Sequence, residues 1–66
     1  MLYRDFVKQV SSDYRISFKV ADKAVSALIS RKIGKSEPMA FIKTNPNLSD
    51  DTIKYVDSEI LRIFTA

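Results

Sequence analysis

An all-α domain is what this sequence predicts, and three features predict it. Apolar residues recur at three- and four-residue spacing over 2–10, 21–33 and 53–64. Residues that favour helix starts stand before the second and third stretches, and the single glycine stands directly after the second. No run of Gly, Pro or Ser is long enough to separate domains. Helical spacing with terminators in the right places is the primary sign of amphipathic helices. The expected architecture is a small compact bundle of three main helices plus one short helix, with residues 1–66 as one domain and a helix-turn-helix-like core as a candidate arrangement.

The first element is expected from Leu2 to about Ser12. Leu2, Phe6, Val7 and Val10 share one helical face, and Arg4, Lys8 and Ser11 point away. Residues 14–20 change the period: Tyr14, Ile16, Phe18 and Val20 alternate with Arg15, Ser17 and Lys19, the two-residue rhythm of a half-buried strand. A lone strand leaves its backbone groups unpaired. Since no second strand is evident, an extended connection or a poorly patterned helical turn is favoured over a ribbon shared by two copies.

The second helix is expected from Asp22, as N-cap, to Ile33, with Gly34 as C-cap. Ala21, Ala24, Val25, Leu28, Ile29 and Ile33 form its apolar stripe; Lys23, Ser26, Ala27, Ser30 and Arg31 form the opposite face. Ser36 can then cap a short helix with Pro38 in its first turn, where the missing N–H costs nothing. Met39, Ala40, Phe41 and Ile42 would supply core contacts, and Asn45-Pro46-Asn47 would end it. The last helix starts at Ser49 as N-cap, with Asp50 and Asp51 in the first turn, favoured by the helix dipole. Leu48 and Ile53 fall where a hydrophobic staple places them. Ile53, Val56, Ile60, Ile63 and Phe64 are expected to be its buried face. The combined core is expected to contain Phe6, Val10, Val25, Leu28, Ile29, Phe41, Ile53, Val56 and Ile60.

Chemistry is constrained by what is missing. There is no cysteine and no histidine, which removes disulfide, thiolate, zinc-finger and histidine-base chemistry together. Asp22, Asp50 and Asp51 are accounted for as helix starts, and no glycine-rich phosphate loop or Ser-x-x-Lys arrangement occurs in a supporting context. A non-enzymatic protein without a cofactor or metal is expected. Two ionisable residues sit oddly, Lys32 within the second stripe and Asp57 within the last. Both are expected at the core margin, with Lys32 snorkelling; the sharper alternative has them meet across the helix packing.

Charge is segregated along the chain. Residues 1–35 carry eight Lys/Arg against three Asp, and residues 36–66 carry three Lys/Arg against five Asp/Glu. A basic half of this kind can steer a polyanion to one face. Arg15, Lys19, Lys23, Arg31 and Lys35 can line one side around the second helix as phosphate contacts. Lys43 would join them as part of a reading helix if 22–33, 34–36 and 37–44 form a helix-turn-helix. A ribbon-helix-helix would instead use Arg15, Ser17 and Lys19, but the extra N-terminal helix and the short following one count against it. Gly34 and Pro38 argue against the long central helix of a histone-like pairing. Tyr14 and Tyr55 are candidate interface or base-stacking residues.

The expected function is a small nucleic-acid-binding protein with a regulatory, architectural or replication-accessory role on double- or single-stranded DNA. The rival is a protein-interaction adaptor or inhibitor acting through the last helix. A chain of this size buries only about 60% of its surface on folding, so a lone copy is marginal and a homodimer is expected. No apolar run is long enough to span a bilayer and no signal-peptide core is present, so a cytoplasmic location without membrane contact is expected.

Overall fold

In the computed structural model, which describes residues 1–34 and 43–65, the chain begins with an extended Leu2 and enters helix α1 over Tyr3–Tyr14. Leu2 provides no side-chain cap, so the orphan N–H groups of the first turn need acceptors from elsewhere. They come from the far side of the chain. The Tyr3 N–H donates to the Pro46 carbonyl (2.8 Å) and the Arg4 N–H donates to Asn45 Oδ1 (2.9 Å). The Leu48 N–H returns to the Met1 carbonyl (2.7 Å), and the Met1 ammonium donates to Asn47 Oδ1 (2.7 Å). Asn45 adopts a left-handed backbone (φ 53°), which asparagine tolerates better than most residues. The segment expected merely to terminate a helix thus caps α1.

α1 ends two residues later than expected, in a Schellman motif. The Ile16 N–H reaches the Ser11 carbonyl (3.1 Å), the Arg15 N–H reaches that of Ser12 (3.4 Å), and Arg15 takes the left-handed conformation (φ 54°). Ile16 then folds back onto the core, and the Ser11 hydroxyl donates to its carbonyl (2.6 Å).

Helix α2 spans Phe18–Ile33, starting four residues before the expected Asp22. Its cap is Ser17, whose Oγ accepts from the Val20 N–H (3.2 Å). Phe18 and Val20 remain exposed, so the apolar stripe begins at Ala21 although the helix has already begun. Residues 14–20 are therefore a helix end, a left-handed residue, a cap and a first turn. They form no ribbon. Among the described residues the only β pairing is an isolated antiparallel bridge between Leu2 and Asn47. Gly34 closes α2 as expected, with φ 75° and its N–H on the Ser30 carbonyl (2.9 Å).

The expected short helix, with Phe41 and Lys35, lies outside the described residues apart from Lys43 and Thr44, which form a turn. Helix α3 spans Asp50–Thr65. Ser49 caps it by accepting from the Thr52 N–H (3.3 Å), and Leu48 and Ile53 both pack on the core as a staple requires.

The bundle is all-α with α2 at its centre, packed on one side by α1 and on another by α3. Phe6, Val7, Val10, Ala21, Val25, Leu28, Ile29, Val56 and Ile60 are buried together with Tyr3 and Leu48. Ile53 is half-buried. Two expectations for α3 fail: Ile63 is 53% and Phe64 39% exposed, because the last turn extends past the end of the core. Ile33 is exposed for the same reason at the end of α2. The Tyr3 hydroxyl, near the start of α1, donates to Asp22 Oδ1 only four residues into α2.

Candidate nucleic-acid interface

The core fixes which side of α2 is free. Ala21, Val25, Leu28 and Ile29 turn inward, so Lys19, Lys23, Ala27 and Arg31, each four residues after the last, run along the opposite side. All four are exposed. The row from Lys19 to Arg31 is about 18 Å long at 1.5 Å per residue. None of its cations makes an ion pair with a described carboxylate; the ion pair among the described residues joins Arg62 to Glu59 on α3. Asp22, the single acid of α2, is held by the Tyr3 hydroxyl. The inner serines add a polar margin: Ser26 is half-buried and its hydroxyl donates to the Lys23 carbonyl (3.0 Å).

The start of α2 reinforces the positive field. α1 carries Asp5 in its first turn and α3 carries Asp50 and Asp51, whereas the first turn of α2 has no acid and holds Lys19. The helix dipole and Lys19 therefore add at this end. Arg15 lies exposed two residues before the cap. It occupies a left-handed position that glycine would adopt freely and that costs another residue about 1–2 kcal/mol.

The remaining expected site residues are placed differently. Lys35 lies outside the described residues. Lys43 is exposed in the turn before Asn45, beside the α1 clasp and not on α2. Tyr14 is half-buried with its ring centroid 5.5 Å from that of Phe64, in a tilted arrangement. Tyr55, a candidate interface or base-stacking residue, is half-buried against the core, and Lys32 Nζ sits 5.6 Å from its ring centroid. This cation–π contact explains how Lys32 is accommodated at the end of an apolar stripe. Lys32 and Asp57 are engaged separately. Asp57, although exposed, has its carboxyl pKa raised, first by the loss of some of its surrounding solvent and then by the nearby charge of Asp13 at the end of α1.

Acidic side chains gather on α3, where Asp50, Asp51 and Asp57 are exposed. The sequence-level division of charge thus becomes a basic outer side of α2 and an acidic α3. Phe18 is the residue the sequence reading passed over: 45% exposed, and set between Arg15 and Lys19. Its signal was an aromatic residue inside a basic segment, masked by the apparent strand rhythm. Among the described residues, no group of three acidic side chains could hold a metal ion, and no helix is long and apolar enough to cross a membrane. No protein-family model, curated protein or solved structure matches the chain.

Proposed function

We propose that this chain is a small non-enzymatic DNA-binding protein of the cytoplasm, holding phosphates along the outer side of α2. Its role would be regulatory, architectural or accessory to replication. The observation that carries this reading is the exposed row Lys19, Lys23 and Arg31, extended by Arg15, with no described carboxylate neutralising it. Each strand of a duplex presents a phosphate about every 3.4 Å along its axis, so an 18 Å row passes about five of them. Contacts of this kind are independent of base sequence. The position of Arg15 supports the same reading, since a glycine there would relieve the backbone and discard the charge.

Fluorescence anisotropy with labelled single- and double-stranded DNA near 0.15 M salt tests it. Binding in the range of about 1–100 μM is expected for non-specific contacts. Lys23→Ala and Arg31→Ala should each weaken binding about equally for unrelated sequences. Absence of binding at about 100 μM folded protein would end the nucleic-acid reading.

Self-association belongs to the proposal as well. Leu61 and Ile63 are each more than half exposed at the end of α3, and Phe64 lies beside them. A second copy covering that end would form a homodimer and add burial to a small core. The competing reading, an adaptor or inhibitor of another protein, rests on the same apolar end. Sedimentation at rising concentration favours the homodimer if the mass doubles by the high micromolar range.

A further inference from the structure

The exposed aromatic side chain of the basic segment is Phe18, not either tyrosine that the sequence offered for base stacking. Tyr14 rests on Phe64 and Tyr55 carries Lys32 above its ring. Phe18 is 45% exposed on the first turn of α2, three residues after Arg15 and directly before Lys19, and the helical turn sets it about 100° round from Lys19, toward the side of Ala21. An apolar ring with Arg15 and Lys19 as its nearest charged neighbours in sequence, neither of them ion-paired to a described carboxylate, is poorly suited to a purely aqueous surface and well suited to a ligand that is both anionic and aromatic. Unpaired nucleotides have both properties. A duplex presents phosphates as well, but its bases have their faces stacked on one another, so a surface ring gains little from it without prising a step apart. In a single strand every base has a free face, and stacking on an aromatic side chain tolerates any base.

We propose that this end of α2 binds single-stranded nucleic acid, Phe18 stacking on a base while Arg15 and Lys19 hold the flanking phosphates. The inference rests on the nucleic-acid reading above and narrows it to a strand state. Arg15 fits the role because the left-handed residue that ends α1 places a cation directly before the α2 cap.

The test uses the full chain and two fluorescein-labelled probes at equal salt, oligo(dT) and a hairpin duplex. Phe18→Ala and Phe18→Leu should weaken oligo(dT) binding by roughly 5- to 150-fold, the range that loss of one stacked base implies, and leave duplex binding unchanged. The chain has no tryptophan, so Phe18→Trp gives a single indole whose emission should be quenched by oligo(dT). Circular dichroism of each variant confirms that it is folded; should the alanine variant unfold, the leucine and tryptophan variants still decide the matter. Full oligo(dT) affinity in Phe18→Leu, an equal loss on both probes, or an unquenched indole would overturn the stacking. A change in oligomer mass on Phe18→Ala would overturn it too, by marking the ring as a contact between copies. Duplex binding without oligo(dT) binding ends this inference alone, whereas binding of neither probe ends the nucleic-acid reading itself.

Discussion

Tyr3 shows how much one hydroxyl can do in a domain of this size. Its ring is buried and its O–H donates to the Asp22 carboxylate, tying the start of α1 to the first turns of α2. Burial first, and then the Asp22 carboxylate, push its pKa well above the ordinary tyrosine value. A raised pKa in the fold means that the neutral form carries the stability. That stability is complete below the unfolded tyrosine pKa of about 10 and is lost as pH rises through and beyond it. Tyr3→Phe should cost about 1–2 kcal/mol at neutral pH, because Asp22 is half-buried and can be partly resolvated. Denaturant midpoints at about pH 8 and about pH 11 should also converge in that variant relative to the parent chain. Arg15 carries the opposite trade. Arg15→Gly should gain about 1 kcal/mol by relieving the left-handed backbone, while DNA binding weakens. A variant that is both less stable and equally tight would contradict the role given to that side chain.

At the scale of elements, the helices depend on caps of two kinds, and only one kind was legible in advance. Ser49 before Asp50-Asp51 and Gly34 after Ile33 are local signals, readable because cap and helix are contiguous. The cap of α1 is not local: Asn45 supplies an acceptor to Arg4 from forty-one residues away. No spacing rule reports such a contact. Asn45→Ala should cost about 1–3 kcal/mol, combining a lost cap with a less tolerant residue at positive φ. Urea unfolding checks it, and an unchanged midpoint would show that α1 does not need the clasp. The start of α2 was misplaced for a different reason. Phe18 and Val20 lie on a turn that extends beyond the core, so burial no longer imposes a helical period on the sequence there. The same physics applies to Ile63 and Phe64, which continue the α3 pattern past the buried core; Phe64 meets the edge residue Tyr14, and both α3 residues stay exposed. Within the packed middle the periodicity was reliable. Leu28, buried at the centre of α2, should cost about 2–5 kcal/mol when cut to alanine, enough to unfold much of the population.

At the scale of the whole molecule, the fold turns a division of charge along the chain into a division across its surface. This was visible in the sequence because α2 and α3 fall in opposite halves of the chain. Which cations share a side was visible too, through the four-residue spacing of Lys19, Lys23 and Arg31. The state of the aromatic residues was not, since tertiary contacts alone decide that Tyr14 and Tyr55 are engaged and Phe18 is open. A basic row that works through phosphates has a thermodynamic mark of its own, the release of condensed counterions. The direct measurement is therefore the slope of log affinity against log salt concentration for a duplex probe, compared between the parent chain and the Lys19→Ala, Lys23→Ala, Arg31→Ala triple variant. All three side chains are exposed and outside the core, so the variant should fold. If the row holds three phosphates, the slope should become shallower by about 2.7, at about 0.9 per contact. An unchanged slope in the folded variant would contradict α2 as the binding surface.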